Sequence, residues 1–584
     1  MSKDWVISPP WNARQCLAAA LKVSPIVAQV LYNRGIGEIE PARRFLEPRM
    51  SDIEPPEALP ATGPAAERIV TAIRAGEKIV LFGDYDVDGI TGVSILWHCL
   101  KLAGADVAFS IPHRLEEGYG IGADAVEALA DDGAQLIVTI DCGVTAIEPA
   151  RRAKARGVDL IITDHHHPHT DASGTVQLPD ALLVHPCYDR QGEVSTPNPD
   201  LSGAGVAFKL AWAVAQRVSG SQRVGPAFRD FLVEATGLAA LGIVADVVPL
   251  IGENRIIARH GLRGLPHSRL PGIQALIQAA SLSGKKLEGE DIGFRLAPRL
   301  NAIGRLGHAQ LAVDLLTRAD AGKAAKLAEH LEQQNRDRQT LQRRIAGEAL
   351  KMVAEQGQDA DAVRGVVLAS AGWHAGIIGI VASRVVETFG RPTVMIALEN
   401  GIGQGSARSV PHFPLHEVLA ECREHLLTFG GHAMAAGLRI EADRIDAFRT
   451  AFQEQAARRL TPADLRPKLR IDAEVGLESL DTQLVRDLGR LEPFGPKNPA
   501  PRLATDWLDV VGTPRQVGSG GSHLQVLLAR GARRCKGIAF GMGKRQGDLM
   551  DHRRCRVAFR PILNEWQGRT SVEMQILDFR FPDK

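Results

Sequence analysis

Short apolar runs alternate with helical stretches along the chain from about residue 65. The runs have the length of buried strands and lie at 78–83, 107–112, 136–141, 160–164 and 181–185. Stretches with helical spacing separate or follow them, at 92–103, 204–218 and 226–245. Strands of this length that alternate with helices are typical of βαβ units. We therefore predict an α/β fold with a doubly wound parallel sheet for residues 65–265.

The pattern changes on both sides of this region. Residues 1–64 look irregular and are rich in proline near their end, which indicates an N-terminal extension and linker. Residues 266–360 form an interdomain segment, in which 309–357 contain no proline and many good helix formers. We predict a long connecting helix there. We interpret it as a solvated, charged spacer, with Gly322 and Gly347 as candidate interruptions.

A smaller α/β unit is predicted for residues 361–460. Its predicted elements are strands at 365–370 and 393–398, a helix at 376–389 and a glycine-rich segment at 401–409. Residues 465–584 contain short strand patterns, glycine-rich turns and no long helical pattern. Such a pattern is typical of a small β-barrel.

Composition limits the kinds of partner that the protein can have. Apolar residues make up 45% and charged residues 23%, as in ordinary globular proteins. The 69 basic and 68 acidic side chains nearly balance, which excludes a histone-like polycation, so a polyanion must be held by local patches. Residues 530–584 offer such a patch, with 13 Lys and Arg against 6 Asp and Glu. Only 5% of residues are aromatic, which excludes broad aromatic stacking as the main binding device.

The cysteines and the apolar segments indicate a location. The seven cysteines are scattered and form no C-x-x-C, which argues against a disulfide framework and against structural zinc. The first residues contain no apolar core of a signal peptide. The most apolar stretch, 237–250, is too short to span a bilayer and contains Asp246. We expect a soluble, cytoplasmic protein that does not enter the membrane.

Three carboxylates follow the first predicted strand at alternate positions. Asp84, Asp86 and Asp88 lie between two glycines and form a dense anionic group. Like charges this close resist joint ionisation, and a divalent cation removes that cost. An EF-hand loop opens with the same pattern, but its twelfth position needs a glutamate and is Ile95 here. The flanking strand also argues against calcium, so we predict another divalent metal.

Further acidic and imidazole groups follow two other predicted strands. Asp141 ends the third strand, and Asp164, His165 and His166 follow the fourth. Ligands bind at the carboxyl ends of the strands in such a sheet, so these groups should meet at one edge. Asp141 alone could be a helix N-cap, but that explanation does not account for all three strand ends. Asp246 lies in an apolar run, where a carboxylate needs a charged partner or a metal.

Oxygen ligands with one imidazole suit Mn²⁺ or Mg²⁺ better than zinc or copper. Several carboxylates that can bridge suggest two metals, the arrangement used to hydrolyse phosphoryl esters. One metal would lower the pKa of a bound water, and the pair would stabilise charge on the phosphate oxygens. His167 and His169 extend the histidine cluster, and we interpret them as supporting or solvent-exposed residues.

These motifs resemble the DHH phosphoesterase superfamily and, within it, the RecJ family of bacterial single-strand-specific exonucleases. The resembling motifs in the first α/β region are 83–89, 141–143, 164–166 and 244–247. Those further along are 299–306, 372–384, 430–437 and 492–499. The resemblance covers about residues 65–580 and keeps the order of the motifs. It implies a DHH domain, a DHH-associated (DHHA1) domain and a C-terminal OB-fold.

The resemblance also implies roles for the site residues. The implied metal ligands are Asp84, Asp86, Asp88, Asp141, His165 and Asp246, with loop support as the alternative for Asp88. The implied catalytic residues are Asp141, Asp164, His165 and His166. His166 would contact the scissile phosphate or act as an acid there, and Asp164 would orient the histidines. The pyrophosphatase branch of the superfamily begins its first motif with a histidine ligand. This chain has no equivalent before Asp84, and Phe82 lies nearby instead. It also has His185 where RecJ proteins often have asparagine.

A third set of residues is expected to hold the nucleic acid. Its members are Arg299, Asn301, Arg305, Ser370, Trp373, His374, Arg408, Gly431 and His432. Arginine binds phosphate in a fork, and glycines allow backbone N–H groups to approach an anion closely. The alternatives are an interdomain salt bridge for the arginines, a simple turn for the glycines and a buried core position for Trp373.

Other functional classes are less well supported by the sequence. No G-x-x-x-x-G-K-[ST] motif supports an ATP-driven helicase, and no G-x-G-x-x-G follows the first strand. A non-enzymatic single-strand binder would leave the carboxylates unexplained. A DHH enzyme for short substrates such as nanoRNA or a cyclic dinucleotide would not need the barrel and the basic C-terminal patch.

The sequence therefore predicts an Mn²⁺- or Mg²⁺-dependent exonuclease. It would degrade single-stranded DNA from the 5′ end to mononucleotides, with the polarity implied by the resemblance alone. Recombination and DNA repair are the implied roles. Single-strand-binding protein and a RecQ-type helicase are the implied partners of a monomeric enzyme.

Overall fold

The computed structural model describes residues 3–112, 120–171, 173–306, 309–360, 362–566 and 568–582. The side chains of Arg305, Leu306 and Trp566 also lie outside this description. The chain divides into two compact units, and each is described by itself. The larger contains Ile7–Glu332 and Ile471–Lys584, and the smaller contains Met1–Val6 and Gln333–Arg470.

The larger unit contains the predicted parallel sheet. Its five strands lie side by side in the order Val107–Ser110, Ile79–Gly83, Leu136–Ile140, Asp159–Thr163 and Leu182–Val184. All four strand pairings are parallel. Gly83 pairs with Ile140, and Ile140 pairs with Thr163. The next residue after each of these strands is an aspartate, so the register alone brings three carboxylates to one edge of the sheet.

Helices cover both faces of this sheet, which confirms the doubly wound fold. One face packs on Val87–Leu102, Gly203–Ser219 and Pro226–Ala245 through strand residues such as Leu81 and Val138. The alternate strand residues pack into a separate core on the opposite face. Further helices of this region are Thr62–Ala75, Ala123–Asp131, Ile147–Ala155, Gly252–Gly264 and Pro271–Ala279. Short strand pairs are His169–Thr170 with Val176–Gln177, and Tyr188–Asp189 with Gly192–Glu193.

The expectation of an irregular N-terminal extension is wrong. The segment contains a strand, Asp4–Ile7, and three helices, Arg14–Leu21, Pro25–Asn33 and Ile39–Leu46. Residues such as Leu17, Val27 and Leu31 are buried in one core with the C-terminal barrel. These helices are short and gain their stability from a partner surface more than 400 residues away, which local sequence patterns do not reveal.

No single helix among the described residues is long and apolar enough to cross a membrane. Helices Arg14–Leu21 and Pro25–Asn33, which meet at a bend of 112°, reach the length and apolar composition of a membrane span only when they are taken together.

The C-terminal region is the predicted barrel. Its strands are Ala473–Val475, Leu503–Thr505, Leu508–Val517, His523–Arg530, Arg533–Ala539, Arg554–Trp566 and Arg569–Arg580. They form one sheet, and an additional pairing of the last two strands partly closes it. Two short helices, Thr482–Gly489 and Gln546–His552, accompany the strands.

The smaller unit contains the second predicted sheet. Its strand order is Val366–Ser370, Thr393–Glu399, Ile402–Arg408, Ala435–Glu441 and Thr428–Gly431, with the first pair parallel and the others antiparallel. Its helices are Ala375–Phe389, Leu415–Glu421 and Ile445–Arg459. The glycine-rich segment at 401–409 is therefore mostly a strand.

The connecting helix starts later than predicted and is better packed than expected. Helices Ala297–Leu306 and Gln310–Thr317 precede it, and it then runs unbroken from Ala321 to Glu355. Gly322 and Gly347 do not interrupt it. Leu331, Ile345 and Val353 are buried, so one face of the helix belongs to hydrophobic cores. The interpretation of a fully solvated spacer is wrong, because apolar residues recur along one face at helical spacing.

Candidate metal centre

The loop after strand Ile79–Gly83 carries two carboxylates, Asp84 and Asp86, which are held by different contacts. Asp84 is 3% exposed, and its backbone N–H donates to the carbonyl of Ile140 on the neighbouring strand. Asp86 is the N-cap of helix Val87–Leu102, and its Oδ1 accepts from the N–H groups of Asp88 (2.9 Å) and Gly89 (3.2 Å). The cap fixes the Asp86 side chain at the end of the sheet.

Asp141 lies at the centre of the carboxylate group. It is 1% exposed and adopts φ +62° directly after strand Leu136–Ile140. One of its oxygen atoms lies within 4.8 Å of ligand atoms from Asp84 and Asp86, and it forms a second such group with His165 and His166. Asp141 therefore belongs to two candidate sites at once.

His165 joins the carboxylates from the other side. Its Nε2 lies 3.1 Å from Asp141 Oδ1, 3.5 Å from Asp246 Oδ2 and 3.8 Å from Asp88 Oδ2. This buried nitrogen has no hydrogen-bond partner among the described residues. A buried imidazole nitrogen that faces three carboxylates without a hydrogen bond fits a shared cation, so these residues fit the predicted metals.

The pKa values of these residues also show that charges at the site repel one another. Burial and the charges of Asp88 and Asp86 raise the pKa of Asp141 well above its usual range. Burial and the same charges raise the pKa of Asp246 to about 9. Burial and the charge of His166 lower the pKa of His165 to about 3. Asp141, Asp246 and His165 thus favour their neutral forms in the absence of a cation. A bound divalent metal would favour the ionised carboxylates and would keep the imidazole neutral.

Asp88 has a different environment from the other carboxylates. Its oxygen atoms accept hydrogen bonds from Ser202 Oγ (3.1 Å) and from the N–H groups of Gly203 (2.7 Å) and Ala204 (3.0 Å). These groups form the N-terminus of helix Gly203–Ser219. Burial and the charge of Asp86 raise the pKa of Asp88 to about 7. Asp88 therefore anchors a helix, while its Oδ2 also lies in a candidate group with His165 and Asp246.

Asp164 is hydrogen-bonded to the loop that carries the histidines. Its Oδ1 accepts from the backbone N–H groups of His165 (2.7 Å) and His166 (3.1 Å) and from His166 Nδ1 (2.8 Å). Its Oδ2 accepts from the N–H of Val144 at 2.9 Å. Burial opposes ionisation, but these partners outweigh it and hold the pKa of Asp164 below its usual range. Burial also lowers the pKa of His166, but Asp164 outweighs it and raises that pKa to about 9.

His185 contacts the backbone of the same loop. It is 1% exposed, its Nδ1 accepts from the N–H of Cys187 (3.0 Å), and its Nε2 lies 2.8 Å from the carbonyl of His166. With Nδ1 accepting, Nε2 must carry the proton that it donates to His166. His167 and His169 are exposed, and neither belongs to the candidate metal groups of the described residues.

The residues of the motif at 299–306 lie on helix Ala297–Leu306. Arg299 Nε lies 2.6 Å from Glu332 Oε2, so its guanidinium forms a salt bridge, but within the larger unit and not between domains as the alternative had it. Asn301 is half-buried. The side chain of Arg305 lies outside the described residues. A Cβ on Gly304 would be 2.8 Å from the carbonyl oxygen of Tyr85, so this helix lies directly against the carboxylate loop.

The predicted DNA-binding residues of the smaller unit cluster around the start of helix Ala375–Phe389. Trp373 is 6% exposed and donates from Nε1 to Glu348 (2.9 Å), which matches the core alternative and leaves no exposed ring for stacking. His374 is the N-cap of the helix, and its Nδ1 accepts from the N–H of Gly376. The hydroxyl of Ser370 accepts from the N–H of Gly372.

Three other predicted binding residues lie on or next to strands of the same unit, with His432 in the turn after Thr428–Gly431. Arg408 donates to Ser406 Oγ (3.2 Å) and to the carbonyl of Ala407 (2.8 Å). Gly431 and His432 are exposed at the turn of a hairpin. Gly431 has φ +138°, which favours glycine, and the N–H of His432 donates to the carbonyl of Ala435 (2.8 Å).

Sequence reasoning missed the glycines that surround the carboxylates. A Cβ on Gly203 would lie 2.5 Å from Asp141 Oδ1, and a Cβ on Gly242 would lie 2.4 Å from Asp88 Oδ1. Each glycine allows a helix backbone to touch a carboxylate. The only signal was the small-residue run at 202–205, which alone does not distinguish a helix start from a site.

We predict that Gly203→Ala lowers activity without unfolding the protein. The new methyl group must displace the Asp141 carboxylate, and a displacement of about 1 Å can cost roughly 100-fold in rate. Steady-state turnover, with circular dichroism to check the fold, measures this effect. Gly264→Ala is the matched control, because that helical glycine has no atom within 4 Å of the added Cβ. Equal activity in the two variants would contradict the prediction.

Comparisons with known proteins agree with this architecture. The chain matches family models for the DHH family N-terminal domain over residues 78–243, the DHHA1 domain over 362–458 and the RecJ OB domain over 471–578. It is 36% identical to the single-stranded-DNA-specific exonuclease RecJ of Bacillus subtilis, over 98% of this chain and 70% of that protein. For the Escherichia coli protein of the same name, the identity is 32% over 96% of each chain.

Solved structures are similar over the whole chain. The crystal structure of RecJ from Thermus thermophilus in complex with Mn²⁺ has a TM-score of 0.83 and 32% identity, covering 100% of this chain and 80% of that one. The corresponding complex with Mg²⁺ has a TM-score of 0.77 and 30% identity, covering 100% of this chain and 79% of that one.

Proposed function

Because this chain belongs to the RecJ family of single-stranded-DNA-specific exonucleases, we propose that its carboxylate–histidine centre hydrolyses single-stranded DNA from the 5′ end to mononucleotides. The observation that supports this most strongly is the meeting of Asp84, Asp141 and Asp164 at adjacent strand ends, with His165 among them. Recombination and DNA repair are the expected roles of such an activity.

Mn²⁺ or Mg²⁺ is the cofactor of this activity. We propose that Asp84, Asp86 and Asp141 hold one ion, and that His165 and Asp246 hold a second ion together with Asp141. When bound, the metals supply positive charge for the phosphate oxygens and lower the pKa of water at the site. Asp88 supports the site mainly through the helix that it anchors.

His166 is the residue that we propose to contact the scissile phosphate. Its Nδ1 is occupied by Asp164 Oδ1 at 2.8 Å, so only Nε2 can donate to a substrate. Without metal, Asp164 raises the pKa of His166 to about 9, which favours the protonated imidazole, and a bound cation would lower that pKa. A protonated Nε2 can hold a phosphate oxygen or give its proton to the leaving oxygen.

We propose that the remaining predicted residues bind the DNA backbone or hold in place the residues that do. They are Arg299, Asn301, Arg305, Ser370, Trp373, His374, Arg408, Gly431 and His432. For Arg299 and Trp373, the pairing with Glu332 and the burial of the ring favour a role in holding other residues in place. The division into five domains, the partners (single-strand-binding protein and a RecQ-type helicase), a monomeric state and a cytoplasmic location stay predictions.

A digestion of end-blocked strands tests the proposal. Single-stranded DNA is blocked at its 5′ or its 3′ end and incubated with Mn²⁺ or with a chelator. We expect mononucleotides from the 3′-blocked strand with Mn²⁺ only, and no digestion of duplex DNA. A dinucleotide substrate serves as the second arm. Faster turnover of the dinucleotide than of the long strand, or digestion in the chelator, would contradict the proposal.

A further inference from the structure

Asp246 is followed by a residue in a strained conformation. Val247 has φ +63°, a region that β-branched residues avoid because their side chains collide with the backbone. Such a conformation persists only where the surrounding structure enforces it. The Val247 side chain is 66% exposed, so its own packing does not supply that restraint. The restraint must come from the chain on either side of it.

The chain is fixed again at Leu250, four residues beyond Asp246. The Leu250 N–H donates to the carbonyl of Pro496 at 2.9 Å, and the side chain is 1% exposed. Gly495 lies directly on this side chain, since a Cβ there would be 2.6 Å from Leu250 Cδ1 and 3.0 Å from Cγ. Residues 490–499, which we call the clasp, therefore hold the segment that carries Asp246.

The clasp is itself held firmly in place. Asn498 is fully buried and donates to the carbonyl groups of Leu491 (2.9 Å) and Pro493 (2.8 Å). Arg255, which is 2% exposed, donates to two further clasp carbonyl groups at 3.1 and 2.9 Å. Arg255 belongs to helix Gly252–Gly264, which starts just after Leu250. The segment and the clasp are thus fixed to one another at several points.

We propose that the clasp is a positioning element for the metal centre. By holding Leu250, it keeps Val247 in its strained conformation and so fixes the Asp246 carboxylate near His165, where Oδ2 lies 3.5 Å from Nε2. The segment that leads into the C-terminal barrel then determines how well Asp246 binds metal. This inference rests on the proposed function, because it takes Asp246 as a metal ligand.

Metal binding by the full chain tests the proposal. The number of bound Mn²⁺ ions and their affinities are measured by electron paramagnetic resonance and calorimetry. Gly495→Ala is expected to weaken one ion roughly 10- to 100-fold, the usual effect of disturbing groups that orient a metal ligand. Leu250→Val is expected to weaken the same ion, because it loosens the same contact. Gly495→Ala combined with Leu250→Val is expected to regain affinity, since valine has no Cδ1 to collide with the new methyl group.

The controls separate positioning from general instability. Gly547→Ala has no atom within 4 Å of the added Cβ and is expected to bind both ions normally. Unchanged Mn²⁺ binding in both single variants, even with a lower melting temperature, would overturn the proposal. So would a double variant that binds more weakly than either single one. Failure of the proposed function would look different, because the unmodified chain would then bind no Mn²⁺ at all, which would overturn both.

Discussion

Asp141→Asn is expected to abolish hydrolysis while single-stranded DNA still binds. Asp141 is the only residue of the described part of the chain that shares candidate metal groups with Asp84 and Asp86 on one side and with His165 and His166 on the other. Its loss should disturb both ions. Metal charge stabilisation is worth several kcal/mol, so turnover should fall by roughly 10³-fold or more. Turnover with saturating Mn²⁺ and DNA binding measured in a chelator check the two halves of this expectation.

The same substitution should stabilise the metal-free protein. Asp141 is buried among like charges that raise its pKa, so its ionised form carries an unfavourable energy that asparagine does not. Without metal, the variant should melt at or above the temperature of the unmodified chain, and added Mn²⁺ should raise that temperature less. Asp132→Asn, at a carboxylate that is 75% exposed, is the matched control and should change neither property. A variant that melts lower without metal and still hydrolyses DNA would mean that the centre is wrongly assigned.

The sequence predicted those parts of the protein whose local residue pattern directly reflects their position in the fold. Strands such as Ile79–Gly83 and Leu136–Ile140 are buried on both faces, so they form continuous apolar runs. In a parallel sheet, their carboxyl ends must lie at one edge. The grouping of Asp84, Asp141 and Asp164 follows from those two facts, and the register of the sheet confirms it.

The parts that the sequence did not predict depend on distant partners. Helix Pro25–Asn33 needs the barrel to cover Val27 and Leu31, although Ser24 before proline was a local start signal. The partner of Arg299 is Glu332 on another helix, and no spacing rule connects two residues so far apart.

Contacts made by glycine are equally hidden from the sequence. Gly203 lies so close to Asp141 that no side chain fits between them, and this contact depends on the tertiary structure alone. The contact between Gly495 and Leu250 is likewise too close for a side chain on the glycine. A glycine read in the sequence indicates a turn as readily as a point where two segments touch.

Asp164→Asn is expected to damage both the stability of the protein and its chemistry. The carboxylate accepts four hydrogen bonds, from the N–H groups of Val144, His165 and His166 and from the His166 ring. An amide has one acceptor oxygen and places two donors where donors already point. With bonds to charged groups worth about 1.5–3 kcal/mol each, we expect a loss of roughly 2–4 kcal/mol in the free energy of unfolding. Denaturant titration measures it.

The contribution of this pair to stability should depend on pH in a definite direction. The pKa of Asp164 is lowered in the folded protein, so its contribution is present above the unfolded value near 4 and is lost as the pH falls below it. The pKa of His166 is raised to about 9, so its contribution is complete below the unfolded value near 6.5 and is lost as the pH rises through about 9. The difference in stability between the unmodified chain and Asp164→Asn should therefore be largest near pH 5–6 and smaller at pH 9.

The activity of Asp164→Asn should show the same coupling through its pH profile. Without the carboxylate, the pKa of His166 falls, so the alkaline limb of turnover should move to lower pH and turnover at pH 8 should drop roughly 10²- to 10³-fold. A bound cation lowers the His166 pKa in both proteins, so the comparison between them carries the test. Asp159→Asn, on the same domain with a carboxylate that is 62% exposed, should keep the original profile. If the alkaline limb stays in place while turnover falls, Asp164 acts on the backbone of the loop and not on the protonation of His166.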